Sequence, residues 1–286
     1  MTALSDERRP TRPVMRYHGG KWRMSDWIIE FFPPHFTYVE PFGGSAGVLM
    51  RKPRSSAEVY NDLDADIVNV FSVLRDRDKS QELQMACALT PYARSEFDLS
   101  YHVSDDPVER ARRTVFRAFS GFGSAGATKG KTGFRSYSGS GRSNPPAIDW
   151  LNYPVHISAF CQRMQGVLIE SRPALDVVDL FDAKETLFYV DPPYLMDTRN
   201  ASGACYVHEM TDNDHKALLN RLLLVKGMVV LSGYATVMYD EMLLPHGWQR
   251  VCKSVQACGH QGSVERTECL WISPACQRNA QQQVLF

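Results

Sequence analysis

The feature that most constrains the fold is an alternation of strand-like and helix-like segments that stops midway along the chain and then resumes. From Val14 to Arg75 the sequence reads as a helix around Trp22 to Phe32, the strand TYVE, a helix after a run of glycines, the strand AEVYN and the helix ADIVNVFSVLRD. In that last helix Ile67, Val70, Phe71 and Leu74 recur at the three-and-four spacing of a buried face. Beyond residue 163 the alternation returns with the strands VLIE and TLFYV, then a helix from about Asp212 to Val225 with Thr211 and Asp214 as a capping pair. The strand GMVVLSGY and two β-rich runs, Trp248 to Val255 and Thr267 to Ser273, complete it. Strands separated by helices imply an α/β fold with a parallel-rich, doubly wound sheet, and the interruption implies an insertion. The expected division is a disordered basic tail over residues 1–13, a main body over 14–75 and 164–274, an inserted region over 76–163 and a flexible tail over 275–286.

Ligands of open α/β sheets bind at the carboxyl ends of strands, and three segments fall there. In VEPFGGSAG a strand ends at Glu40 and turns through Phe42, Gly43, Gly44 and Gly47 into a helix. Glycines at such a turn let backbone amides approach a ligand closely. The spacing is not G-x-G-x-x-G, which weighs against a nicotinamide dinucleotide. Asp62 in VYNDLD ends the next strand, 22 positions after Glu40, where one carboxylate can accept from both hydroxyls of a ribose. Asp64 and Asp66 suit the positive end of the helix that follows. The third segment is Asp191-Pro192-Pro193-Tyr194, directly after TLFYV. With proline at ~5% of residues, such a tetrapeptide arises by chance in fewer than about 1 in 100 chains of this length, so it is the sharpest signal here. Its prolines lack an N–H and leave carbonyls free to accept from a ligand.

The 32 basic and 32 acidic residues cancel, so global charge names no partner. Local charge does: from Arg110 to Ile148 there are eight basic residues and no acidic one, an electrostatic footprint for an anion. Arg110, Arg113 and Arg117 share one face of a helix by their spacing. Lys129, Lys131, Arg135 and Arg142 sit in the Gly- and Ser-rich loop that follows. The bland alternative is a solvated helix face. Seven scattered cysteines without a Cys-x-x-Cys spacing read as reduced thiols, with no metal expected. The sequence lacks a run of ~18 apolar residues and begins with a polar, basic segment, so the expectation is a cytoplasmic protein with no membrane contact.

Seven pieces taken in order, RYHGGK (Arg16 to Lys21), VEPFGGSAG, VYNDLD, LFYVDPPY, CYVHEMTDNDH, VVLSGY and RTECLW, together resemble the Dam-like, D12 class of adenine-specific DNA methyltransferases. They run from residue 16 to residue 271. The resemblance implies a Rossmann-like, S-adenosylmethionine-dependent methyltransferase fold. Residues 76–163 would be an inserted, mainly helical target-recognition region, double-stranded DNA the partner, and no obligate protein partner is inferred. Tyr17 and Lys21 would contact the cofactor, Lys21 as a point charge for the methionine carboxylate. Glu40, Phe42, Gly43 and Gly44 would wall it, Asp62 would hold its ribose, and Asp191 would face both cofactor and base. Asp191, Pro192 and Tyr194 would be catalytic. The amino nitrogen of adenine is a poor nucleophile because its lone pair is delocalised into the ring. The Asp191 carboxylate and the Pro192 carbonyl, accepting its two N–H bonds, would direct that lone pair at the methyl group. Extracting a base from a duplex costs a few kcal/mol, and stacking on Tyr194 would return ~1–3 kcal/mol. Arg110, Arg113 and Arg117 would meet phosphates, and Lys129, Lys131, Arg135 and Arg142 would reach bases. Two departures stand out: His18 replaces a usual small residue, and Pro173 stands where an acid is usual. Competing readings are methylation of an amino group on cytosine, RNA or protein, a DNA-binding regulator without catalysis, and a nicotinamide-dependent oxidoreductase.

Overall fold

Strand signals and strands coincide closely. In the computed structural model, which describes residues 9–123, 126–127, 130–136, 145–199, 206–259 and 262–283, seven strands form one sheet. They are β1 (Thr37–Glu40), β2 (Ala57–Asn61), β3 (Val167–Glu170), β4 (Thr186–Val190), β5 (Met228–Tyr234), β6 (Gln249–Gly259) and β7 (Gly262–Ile272). The order across the sheet is β3-β2-β1-β4-β5-β7-β6. The first five strands in that order pair in parallel, while β7 is antiparallel to both β5 and β6. All five residues of β4 are buried, as a central parallel strand covered on both faces requires. The chain builds outward from β1 to β3 and then returns to lay β4 beside β1, so these two strands flank the topological switch point.

The helices are α1 (Ser25–Ile29), α2 (Ala65–Arg75), α3 (Arg77–Leu89), α4 (Arg94–Leu99), α5 (Pro107–Ser120), α6 (Pro146–Leu151), α7 (Ile157–Met164), α8 (Ala174–Phe181), α9 (Asp212–Leu222), α10 (Val237–Leu243) and α11 (Pro274–Gln283). Helix α2 buries Ile67, Val70, Phe71 and Leu74, the stripe read from spacing, and Asp64 caps it by accepting from the Asp66 and Ile67 amides. Thr211 and Asp214 form a reciprocal capping box on α9. Helices α3 to α7 lie between β2 and β3 in the chain and share one apolar core with the sheet. Phe97, Phe116, Trp150 and Phe160 belong to the same buried cluster as Tyr38, Tyr60 and Phe71.

Four expectations change. The helix expected after the glycine run is not formed: residues 47–51 make turns, and β1 passes to β2 without a helix. The N-terminal tail does not extend to residue 13: Arg12 pairs with Asp149 at 2.9 Å and lies over the Phe119 and Tyr153 rings. Residues 1–8 lie outside the described part. The stretch expected as a flexible C-terminal tail contains α11, anchored by the buried Cys276, whose thiol donates to the Phe31 carbonyl. The thiols are not all reduced, because Cys252 and Cys269 are a register pair across the β6–β7 hairpin and form a disulfide. Sequence separation hides that pairing, whereas the hairpin register makes the two residues direct neighbours. No helix among the described residues is long and apolar enough to cross a membrane.

Candidate active site

A cavity of about 630 Å³ opens at the carboxyl ends of β1, β2 and β4, within the ~300–1,000 Å³ common for small-molecule sites. All eight residues expected to touch a cofactor line it: Tyr17, Lys21, Glu40, Phe42, Gly43, Gly44, Asp62 and Asp191. The glycine turn is shaped by steric need. A Cβ on Gly43 would lie 2.2 Å from the Tyr60 ring, and Gly44 has a φ of +47°, a region costly for other residues. Glu40, at the end of β1, turns its carboxylate away from solvent and braces the turn, accepting from the Tyr38 hydroxyl at 2.6 Å and the Leu49 amide at 2.7 Å. Burial pushes its carboxyl up to about 7 despite those donors. Asp62 accepts from the Gly44 amide at 2.7 Å and the Asp64 amide at 2.8 Å. Burial raises its pKa, and the two amides oppose the shift. One carboxylate thus ties the glycine turn to the start of α2.

Asp191 follows β4 and reaches the opposite wall. The Lys21 ammonium lies 3.0 Å from Asp191 Oδ1 and 3.4 Å from a Glu268 oxygen, and it donates to the Gly19 carbonyl at 2.8 Å. The ammonium therefore faces two carboxylates and donates to one carbonyl. Desolvation alone would lower the Lys21 pKa, but the two carboxylates outweigh it and hold the amine protonated. Asp191 is pushed up to about 6, first by burial and then by the Glu268 charge, with Lys21 opposing. Tyr194 donates its hydroxyl to Glu268, stands edge-on to Tyr234 at 4.7 Å and carries the Lys21 ammonium 4.8 Å from its ring centre. Asp191 and Pro193 are on the cavity wall, whereas Pro192 and Tyr194 are not among its lining residues.

Several site residues escaped the sequence reading. Tyr206 lines the cavity, donates to the His18 carbonyl at 3.3 Å and fills the space that a Gly19 Cβ would need. The His18 ring meets Tyr206 edge-on at 5.5 Å, so the unusual side chain is accommodated by an aromatic partner. Near Pro173, Asp176 in the first turn of α8 brings a carboxylate to the cavity lining. Glu268 lay within a quoted motif, RTECLW, yet only its register in β7 shows where its carboxylate goes.

The basic face of α5 already has acidic partners within the protein. Arg110 and Arg117 both pair with Asp66 of α2, Arg110 at 2.6 Å and Arg117 at 2.5 Å. Arg113 pairs with Glu109 at 2.6 Å and donates to the His102 and Val103 carbonyls. These arginines fasten the insert internally, because acids from other segments reach them in space. Lys131 pairs with Asp98 at 2.6 Å while remaining half exposed, and Arg135 donates to the Phe119 carbonyl. Lys129 and Arg142 lie outside the described residues.

The cavity, with its glycine turn, Asp62 and Asp191, lies at the topological switch point, where open α/β sheets bind their ligands. Residues 17–227 match the family described as D12 class N6 adenine-specific DNA methyltransferase, and the chain belongs to that family. It is 24% identical over 193 residues to the DNA adenine methylase of Haemophilus influenzae (strain ATCC 51907 / DSM 11121 / KW20 / Rd), covering 64% of this chain and 64% of that protein. The chain therefore spans just under two thirds of that curated relative. Similar solved structures include the precorrin-6y C5,15-methyltransferase of Geobacter metallireducens GS-15, at 10% identity and a TM-score of 0.36, covering 87% of this chain and 86% of that one. A SAM-dependent methyltransferase of Agrobacterium tumefaciens is likewise 10% identical, with a TM-score of 0.41, covering 89% and 62%.

Proposed function

We propose that this chain is a site-specific DNA methyltransferase that moves a methyl group from S-adenosyl-L-methionine to the exocyclic N6 amino group of a flipped-out adenine in double-stranded DNA. The observation that carries the reading is Asp191: its buried Oδ1 has no aligned hydrogen-bond donor in the protein, only the Lys21 ammonium 3.0 Å away. An acceptor held at the wall of a nucleotide-sized cavity suits an incoming amino group.

The residues fit the cofactor. Asp62 sits beside a glycine turn too tight for side chains, suited to a ribose, while Tyr17 and Phe42 supply aromatic wall. When bound, S-adenosylmethionine supplies a methyl group activated on a sulfonium. Asp191 and the Pro192 carbonyl accept the two N–H bonds and orient the nitrogen lone pair. A carboxyl poised at about 6 is ionised at neutral pH and can accept the proton that the amino nitrogen sheds. Lys21 holds Asp191 in place, a role beyond the cofactor-carboxylate contact that the resemblance implied.

The test is transfer of tritium from labelled S-adenosylmethionine to unmethylated genomic DNA, followed by digestion to bases and modification-aware sequencing. Label in N6-methyladenine within one short motif is the expected result. Label in cytosine, or transfer to RNA alone, would overturn the substrate. No transfer to any nucleic acid would overturn the reaction.

A further inference from the structure

Strand β7 contributes a charge that its place in the sheet does not require. It runs antiparallel to β5, so Glu268 in β7 registers opposite Tyr234 at the carboxyl end of β5. That places a late residue at the edge of the sheet where β1, β2 and β4 open into the cavity. The following residues, Cys269, Leu270, Trp271 and Ile272, are apolar and buried, and Glu268 itself is only 5% exposed. An apolar side chain at 268 would serve the core at less desolvation cost. Glu268 instead accepts the Tyr194 hydroxyl and lies 3.4 Å from the Lys21 ammonium, which is also 3.0 Å from Asp191. Two carboxylates share one ammonium, so part of the negative charge is uncompensated within the cluster.

We propose that Glu268 is a positioning residue of the methyl-transfer site, fixing the Tyr194 ring through its hydroxyl and Lys21 through its ammonium, so that Asp191 and the aromatic platform keep one geometry. The inference rests on the reading that Asp191 and Tyr194 handle the base. Glu268 touches neither base nor cofactor in this account. It pins the far end of the Tyr194 side chain through its hydroxyl and so fixes the direction in which the ring projects, and it gives Lys21 a second counter-charge beside Asp191. The charged and titratable groups facing Asp191 are Tyr17 and Lys21 from the segment before α1, Glu40 from β1, Tyr189 from β4, Tyr194, Tyr206, Tyr239 from α10, and Glu268 from β7. Removing the Glu268 charge deletes a like charge and leaves Lys21 to Asp191, and both changes favour the ionised Asp191.

The experiment uses the full chain and four variants: Glu268→Ala, Glu268→Gln, Tyr194→Phe, and Tyr194→Phe combined with Glu268→Ala. The rate of methyl transfer to unmethylated duplex genomic DNA, its pH profile, and calorimetric affinity for S-adenosylmethionine are measured. The expected result is a loss of about tenfold or more in kcat for Glu268→Ala and for Tyr194→Phe, with cofactor affinity within about threefold of wild type. The double variant should be no worse than the poorer single, since both remove one contact. Glu268→Gln should recover most of the rate, because its amide oxygen still accepts the Tyr194 hydroxyl, and its acid limb should move to lower pH. A wild-type rate in Glu268→Ala, losses that multiply in the double variant, or a Glu268→Gln as impaired as Glu268→Ala with an unmoved acid limb would each overturn the proposal. Should Glu268→Ala fail to fold, Glu268→Gln and Tyr194→Phe decide the matter by the same readouts. An active wild type with indifferent variants rejects Glu268 alone, whereas a wild type without transfer to DNA rejects the functional reading and this one together.

Discussion

At the scale of single residues, the chemistry concentrates in Asp191, whose carboxyl must be ionised to accept the proton that the amino nitrogen sheds. Burial and the Glu268 charge hold it at about 6, so it is protonated below that pH and ionised above. The rate kcat/KM should rise about tenfold per pH unit below 6 and level off near neutrality. Asp191→Ala should lower transfer by roughly 10²-fold or more while the protein stays folded, because Lys21 keeps Glu268 as its counter-charge. A flat profile from pH 5 to pH 8 would place the essential ionisation elsewhere. Asp62 and Asp191 were legible in the sequence because each follows a strand, and the sheet rule says what strand ends face. Glu268 and Tyr206 lie inside the motifs RTECLW and CYVHEMTDNDH, but nothing local says what their side chains meet. One depends on an antiparallel register, the other on a segment that returns over Gly19 from 187 positions away.

At the scale of elements, charge counted along the chain leaves out the acids that packing brings in. The window without acids begins one residue after Glu109, and that carboxylate holds both Arg112 and Arg113. Asp66, which sequence assigned to the start of α2, also receives Arg110 and Arg117 from α5. A run of like charge in sequence thus becomes a set of pairs in space, joining the insert to the helix that follows Asp62. Arg117→Ala should therefore lower unfolding free energy by on the order of 1 kcal/mol, since Arg117 is mostly buried and its loss leaves the partly exposed Asp66 with one partner. The slope of log DNA affinity against log salt should stay as in wild type. A phosphate contact would instead flatten that slope by about 0.9, so urea titration together with binding at several salt concentrations separates the two roles. Helix existence and caps were readable because α2, α5 and α9 carry their apolar stripes and capping residues within a dozen positions. Their ion-pair partners were not, being set by packing.

For the molecule as a whole, the cavity is assembled from segments spread between Tyr17 and Leu218, and the positioning carboxylate comes from β7. The family match ends at residue 227, before β5, β6 and β7 begin. These later strands are nevertheless part of the same body: β7 pairs along β5 from Val230 to Tyr234, and Cys269, Leu270, Trp271 and Ile272 are all at most 4% exposed. Burying large apolar side chains contributes roughly 1.5–3 kcal/mol each, so Leu270, Trp271 and Ile272 together supply an amount comparable with a whole domain's net stability of about 5–15 kcal/mol. Residues 1–247 alone would also present the unpaired edge of β5 to solvent, a template for association with other chains. That fragment should lack a cooperative unfolding transition, elute as aggregate on size exclusion and bind no S-adenosylmethionine, even though it retains every glycine-turn residue and Asp191. A monomeric fragment that unfolds cooperatively and binds the cofactor would show instead that β6 and β7 are an appendage, and that the sheet needs only its five parallel strands to hold the cavity.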